Sequence, residues 1–150
     1  MRYEYRKYKL EIVKESSVVS SYNYQVESPN DIHKYLVNIC NLHKCTQEHF
    51  LAIAMNAKGK IIGYSITAMG DLCSMLIHPR ETFKFLICCN AASVIFAHNH
   101  PSENPIPSQQ DINSTKQLKE AGDILGIAVL DHIIVANETT FFSMKQEGLI

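Results

Sequence analysis

Apolar and polar positions fall into blocks along this chain, and the spacing inside each block predicts an element. Ser28 and Pro29 make a helix start, because serine caps free backbone N–H groups and proline tolerates the first helical position. Ile32, Leu36, Ile39 and Cys40 then recur at helical spacing, so a helix with one buried face is predicted over residues 29–43. The short run HFLAIAM, His49 to Met55, is almost wholly apolar, as a central strand covered on both faces would be. After a turn at NAKGK, Ile62, Tyr64, Ile66 and Ala68 alternate, which makes residues 49–68 a hairpin. A second helix opens at His78-Pro79-Arg80-Glu81 and runs through Phe83, Leu86, Ile87, Asn90 and Ala91. It leads into a compact apolar strand, Ser93 to Ala97, that delivers the chain to His98.

Farther on, Ile112, Thr115, Leu118, Ala121 and Leu125 mark a third helix that stops at Gly126. Two last strands, Ile127 to Val135 and Phe141 to Met144, are joined by ANETT. At the other end, Tyr8, Leu10 and Ile12 alternate as an edge strand within residues 3–14, and SSVVSSYNYQVESPN reads as a connector. The order of elements predicts a mixed α/β or α+β layer structure. One domain is expected over residues 29–150, preceded by a strand and connector over 1–28.

Composition narrows the classes of function. At 150 residues, 46% apolar and 19% charged, the chain is the size of one domain that folds alone. A net charge of -1 supplies no global positive field for a phosphate backbone. The local exception is Arg2, Arg6, Lys7 and Lys9 interleaved with Tyr3, Tyr5 and Tyr8, which suits either nucleic acid or a solvated edge. No apolar run reaches the roughly 18 to 20 residues that cross a bilayer, and the polar start does not resemble a signal peptide. Five cysteines without regular spacing fit a reducing compartment, so a cytoplasmic protein is expected.

The chemistry is concentrated in AHNHPSENPIPSQQD, residues 97–111. In a strand, residues two apart point to one side, so His98 and His100 can present both imidazoles to one point. Pro101, Pro105 and Pro107 restrict the loop that follows, which can bring Asp111 back toward them. Two imidazoles and a carboxylate suit a catalytic zinc with an open position, and also an Fe(II) oxygenase. Ser108-x-x-Asp111 is equally a helix start, with serine as N-cap and an acid at the third position. The two roles are compatible, since a capped first turn is a rigid place from which Asp111 can project.

These residues resemble the JAMM signature of JAB/MPN metalloproteases, HxHx7SxxD. The chain is similar in particular to the RadC-type JAB domain, through AHNHPS at 97–102, PS at 107–108, LKEAGDILGI at 118–127, LDHIIV at 130–135 and HPRE at 78–81. The likeness covers about residues 30–145. It implies a JAB1/MPN-like (cytidine-deaminase-like) fold, a curved mixed sheet flanked by helices, with zinc held by His98, His100 and Asp111. It further implies a glutamate that takes a proton from the attacking water and a serine that stabilises the oxyanion, which by position are Glu48 and Ser108. One departure stands out: the family usually has glycine directly after HPS, where this chain has Glu103. The helix-hairpin-helix region of full-length RadC proteins is not present in these residues, which weakens a DNA-repair assignment.

Other clusters rank lower. Cys40, His43 and Cys45 in CNLHKC offer three ligand types, but no fourth partner stands at a zinc-ribbon spacing. Cys88 and Cys89 are expected in the core, and Cys73 in a loop near the site. Asp131 and His132 are neighbours in an apolar strand and cannot face the same side, so a buried hydrogen-bonded role or support of a zinc ligand is expected. His78 is expected to start a helix, His33 and His43 to lie on the surface or at helix ends, and His49 to flank the site. The first expectation is therefore a JAMM-type zinc hydrolase acting on peptide or isopeptide bonds. The alternatives are a repair or mobile-element accessory factor, including a metal-dependent nuclease, and a non-catalytic MPN-like interaction module.

Overall fold

In the computed structural model, residues 25–70 and 77–150 are described, with single positions between 7 and 17. The expected edge strand at Tyr8, Leu10 and Ile12, most of the basic and aromatic N-terminal stretch, and Cys73 lie outside the described residues.

Helix α1 spans Pro29–Asn38, and the Asp31 carboxylate accepts the Ser28 backbone N–H at 2.9 Å and its hydroxyl at 2.8 Å. The helix was expected to run to residue 43 but ends five residues earlier. Asn41 takes the left-handed conformation (φ 52°), which asparagine tolerates better than most residues, and turns the chain into a 3-10 segment, Leu42–Lys44. That reversal tucks Leu42 into the core at 1% exposure.

Five strands follow: β1 (His49–Met55), β2 (Ile61–Met69), β3 (Ser93–Asn99), β4 (Ala128–Val135) and β5 (Phe141–Ser143). Helix α2 (Pro79–Cys88) lies between β2 and β3, and α3 (Gln109–Leu125) between β3 and β4. The sheet order is β2-β1-β3-β4-β5. Among the described strands, only β3 and β4 pair in parallel, because α3 carries the chain back across the sheet between them. The predicted hairpin is β1 with β2, antiparallel, with irregular register at Phe50/Leu51 and Ala54/Met55.

Each face of the sheet has its own apolar cluster. Leu51, Ile53 and Met55 of β1 join Ile95, Ala97, Ile133 and Val135 against Ile32, Tyr35 and Leu36 of α1. The alternate residues Phe50, Ala52 and Ala54 join Val94 and Phe96 against Phe83 and Leu86 of α2 and Leu118 of α3. Both faces of β1 and β3 are thus covered, which is why these strands read as continuous apolar runs rather than alternating ones. The architecture is a three-layer α+β domain, a five-stranded mixed sheet with helices on both sides. Gly126 ends α3 in the left-handed region at φ 70°, as expected of a helix C-terminus.

Two expectations are corrected. His33, expected on the surface or at a helix end, lies within α1 and is 3% exposed; it stacks on Phe141 at 4.6 Å and its Nε2 lies 3.1 Å from the Asn137 carbonyl. The α1 face is wider than the apolar pattern indicates, because the imidazole packs as a flat ring while its polar edge finds a backbone partner. Cys88 and Cys89 are half-buried at the end of α2 rather than in the core, with only Cys89 packed against the apolar cluster.

Candidate metal centre

The site forms where the carboxyl end of β3 meets the amino end of α3. Phe96 and His98 share the α2/α3 face of the sheet, so His98 continues an apolar row and is fully buried. His100 lies one residue beyond the strand, held in register by its N–H to the Val135 carbonyl at 3.0 Å. A turn follows in which Glu103 donates its N–H to the His100 carbonyl, and His100 Nδ1 lies 2.6 Å from the Asn104 carbonyl. Ser108 caps α3: Asp111 donates its N–H to Ser108 Oγ at 3.1 Å, and Asp111 Oδ2 accepts the Ser108 N–H at 2.7 Å and its hydroxyl at 2.6 Å. The capped helix start and the carboxylate position are therefore one structure.

His98 Nε2 and His100 Nε2 lie 2.9 Å apart. Asp111 Oδ1 is 3.5 Å from the first and Oδ2 is 3.6 Å from the second. A tetrahedral ion with ligands at about 2.0–2.1 Å has ligand–ligand edges of about 3.3 Å, so this triangle fits one. Among the described residues, this is the one group of three His, Cys, Asp or Glu side chains close enough to hold an ion. Cys40, His43 and Cys45 do not form a second such group. Burial instead pushes the Cys40 thiol up to about 12, which makes it a poor ligand and a packing residue.

The electrostatics suit the same conclusion. Burial lowers the His98 pKa to about 4, so the ring is neutral and can act as a ligand near pH 7. Burial also works to raise the Asp111 pKa. Hydrogen bonds from His100 and Ser108 and the nearby His98 outweigh it, and the carboxyl stays well below the usual range. For His100, burial works downward, but Asp111, the Asn104 carbonyl and Glu48 outweigh it and raise the pKa.

Glu48 directly precedes β1 and is partly buried. Burial raises its pKa; His100 pulls it down and Asp111 pushes it up, so its carboxyl shares the field of the triad. Its position depends on a residue that the sequence did not single out. The Asn99 amide donates to the Cys45 and Gln47 carbonyls, both at 3.0 Å, and accepts the His49 N–H at 2.8 Å. Asn99 is 2% exposed and points to the face opposite His98, so it clamps the segment carrying Glu48 while its neighbours face the triad.

Behind the triad, His98 Nδ1 lies 2.8 Å from His132 Nε2, and His132 Nδ1 lies 2.5 Å from Thr115 Oγ. Asp131 and His132 do face opposite ways, as expected. Asp131 accepts the Ser143 hydroxyl at 2.6 Å and the Lys145 N–H at 3.0 Å, which ties β4 to the C-terminal turn. His49 stands at the start of β1 with Nδ1 2.9 Å from the Gln47 carbonyl, outside the triad, and His78 is the N-cap residue of α2. His43 sits in the short 3-10 segment, half-buried, with its Nε2 3.3 Å from Glu138.

The RadC-like JAB domain family model matches residues 26–149. A UPF0758 protein of Geobacillus sp. (strain WCH70) is 43% identical over 132 residues, which are 87% of this chain and 57% of that protein. A UPF0758 protein of Desulforamulus reducens is 48% identical over 110 residues, 73% of this chain and 48% of its own length. The chain spans about half the length of the curated relatives it matches. Its match to the family model over nearly all its residues, with the HxH strand end and capped Asp111 in place, means that the chain belongs to the RadC-like JAB domain family.

Proposed function

We propose that this chain is a zinc-dependent hydrolase of the JAMM type that cleaves peptide or isopeptide bonds. The observation that carries this is the convergence of His98, His100 and Asp111 on one point, with the Glu48 carboxyl in their field. When bound there, zinc would lower the pKa of a water from about 15.7 to roughly 7 and polarise a carbonyl oxygen.

The remaining work falls to the chain's own groups. Glu48, with its pKa raised by burial, takes the proton of the attacking water and returns it to the leaving amine. Ser108 has two tasks that compete for one proton. Its hydroxyl donates to Asp111 Oδ2, which orients the ligand; to stabilise an oxyanion it must turn that proton toward the substrate. The prolines of the 101–107 loop hold the two halves of the site at a fixed separation. Free thiols at Cys40, Cys45, Cys88 and Cys89 suit a protein that works in the reducing cytoplasm.

The test is a peptide and isopeptide library assayed with zinc-loaded protein and its Glu48→Gln variant. The variant is expected to keep its zinc and lose turnover by about 10²–10⁴-fold. Full turnover in Glu48→Gln removes Glu48 from the reaction, and no cleavage by zinc-loaded wild type removes the peptidase assignment.

A further inference from the structure

The geometry points to Thr115 and His132 as positioning residues that fix which nitrogen of His98 is free to bind a metal. This inference rests on the proposed zinc site and concerns how that site is prepared. Three short contacts link them in a row: His98 Nδ1 to His132 Nε2 at 2.8 Å, His132 Nδ1 to Thr115 Oγ at 2.5 Å, and Thr115 Oγ to the Asp111 carbonyl at 2.6 Å. His98, His132 and Thr115 are each 0% exposed, so the row is closed to bulk solvent. The row begins on one ligand of the triad and ends on the backbone of another.

A neutral imidazole carries one N–H and one lone pair, and the partner at one nitrogen decides what the other can do. For His98 Nε2 to offer a lone pair, Nδ1 must carry the proton, and His132 Nε2 must accept it. His132 then carries its own proton on Nδ1, and Thr115 Oγ must accept that. The Thr115 hydroxyl proton is left to the Asp111 carbonyl, and every buried donor in the row is satisfied. Running the row the other way, with Thr115 donating to His132, puts a proton on His98 Nε2 and leaves no lone pair for an ion. The two directions hold the same number of protons, so the metal-bound state selects one of them through Thr115 and His132.

Phe50 and Phe96 pack at steep interplanar angles against the His132 ring, with centroids 5.3 and 6.4 Å away. Both ring nitrogens already have a partner within the row, at 2.8 and 2.5 Å. Removing the Thr115 hydroxyl leaves the His132 Nδ1–H buried without an acceptor in the metal-bound direction, a cost that falls on zinc affinity.

The experiment compares zinc dissociation constants, by competition with a chromophoric chelator, for wild type, Thr115→Val and Thr115→Ser. Valine keeps the shape without the hydroxyl and is expected to weaken zinc binding by about 10–100-fold. Serine keeps the hydroxyl and is expected to restore the wild-type constant. Long-range proton–nitrogen NMR of the zinc-loaded wild type supplies the second readout, and does not depend on any variant folding: His132 should carry one proton, on Nδ1, with Nε2 bare. A proton on His132 Nε2, or wild-type affinity in Thr115→Val, overturns the inference while leaving the zinc site in place. A wild-type protein that takes up no zinc overturns both.

Discussion

Glu103 adopts φ 57°, the left-handed conformation in which a side chain is strained and glycine is not. The sequence marks this position as a departure from glycine, and the structure shows that the backbone keeps the glycine-like angle all the same. Glu103 gains little in return: its carboxylate meets the exposed Asn137 amide at 3.4 Å. Glu103→Gly is therefore expected to raise stability by about 1 kcal/mol, read as a higher denaturant midpoint with an unchanged slope. A lower midpoint would show that the Asn137 contact outweighs the strain. Asn99 makes the opposite case. Asn99→Ala removes three hydrogen bonds to part-buried backbone groups, so a stability loss of about 1–3 kcal/mol is expected, together with reduced turnover as Glu48 loses its anchor. Undiminished turnover in Asn99→Ala would separate the clamp from the reaction.

The triad was legible at this scale because it obeys simple rules: two histidines at strand parity, and an acid three residues after a capping serine. Thr115, His132 and Asn99 were less so, for a physical reason. Thr115 falls on the apolar stripe of a helix and looks like packing; its hydroxyl acquires meaning only when His132 arrives from another strand. His132 announced a buried role but not its partners. Asn99 sits between His98 and His100, and its task is on the opposite face of the strand, which no local pattern shows.

At the scale of elements, the helices were recovered with the right faces and imperfect ends. The apolar spacing of α1 continues to Cys40, yet Asn41 ends its geometry, since periodicity records which residues are buried and not whether the backbone between them stays helical. At the start of α1, Asp31 holds a lowered pKa, chiefly through the Ser28 hydroxyl. A carboxyl with a lowered folded-state pKa stabilises above its unfolded pKa, and that contribution is lost as pH falls through the folded value. Asp31→Asn should thus cost about 0.5 kcal/mol near pH 7, small because solvent screens an exposed group. In acid, the unfolding curves of variant and wild type should converge; a gap that persists there would assign the cost to packing. Helix α3 is held to β4 by close approach at Gly122, where a Cβ would lie 2.6 Å from the Ile127 carbonyl and 3.0 Å from Val129 Cγ2. The Ile127 carbonyl is backbone and cannot move freely, so Gly122→Ala is expected to destabilise by about 1–3 kcal/mol, measured by thermal unfolding. An unchanged melting temperature would mean that α3 can shift away from the sheet.

For the whole molecule, the class of fold followed from the order of strands and helices, while the order of strands in the sheet did not. That β3 lies between β1 and β4 is a long-range fact, and it places the buried His98 row under α2 and α3 while β4 brings His132 alongside. No described helix is long and apolar enough to cross a membrane. The molecule is instead organised around one strand end and one helix start, which together put three ligand atoms within 4.8 Å of one another. Metal content tests that organisation most directly. Wild-type protein purified without chelators should carry one zinc per chain, and His100→Ala, folded by circular dichroism, should carry far less. Wild type that holds no zinc, or His100→Ala that holds as much as wild type, would contradict it.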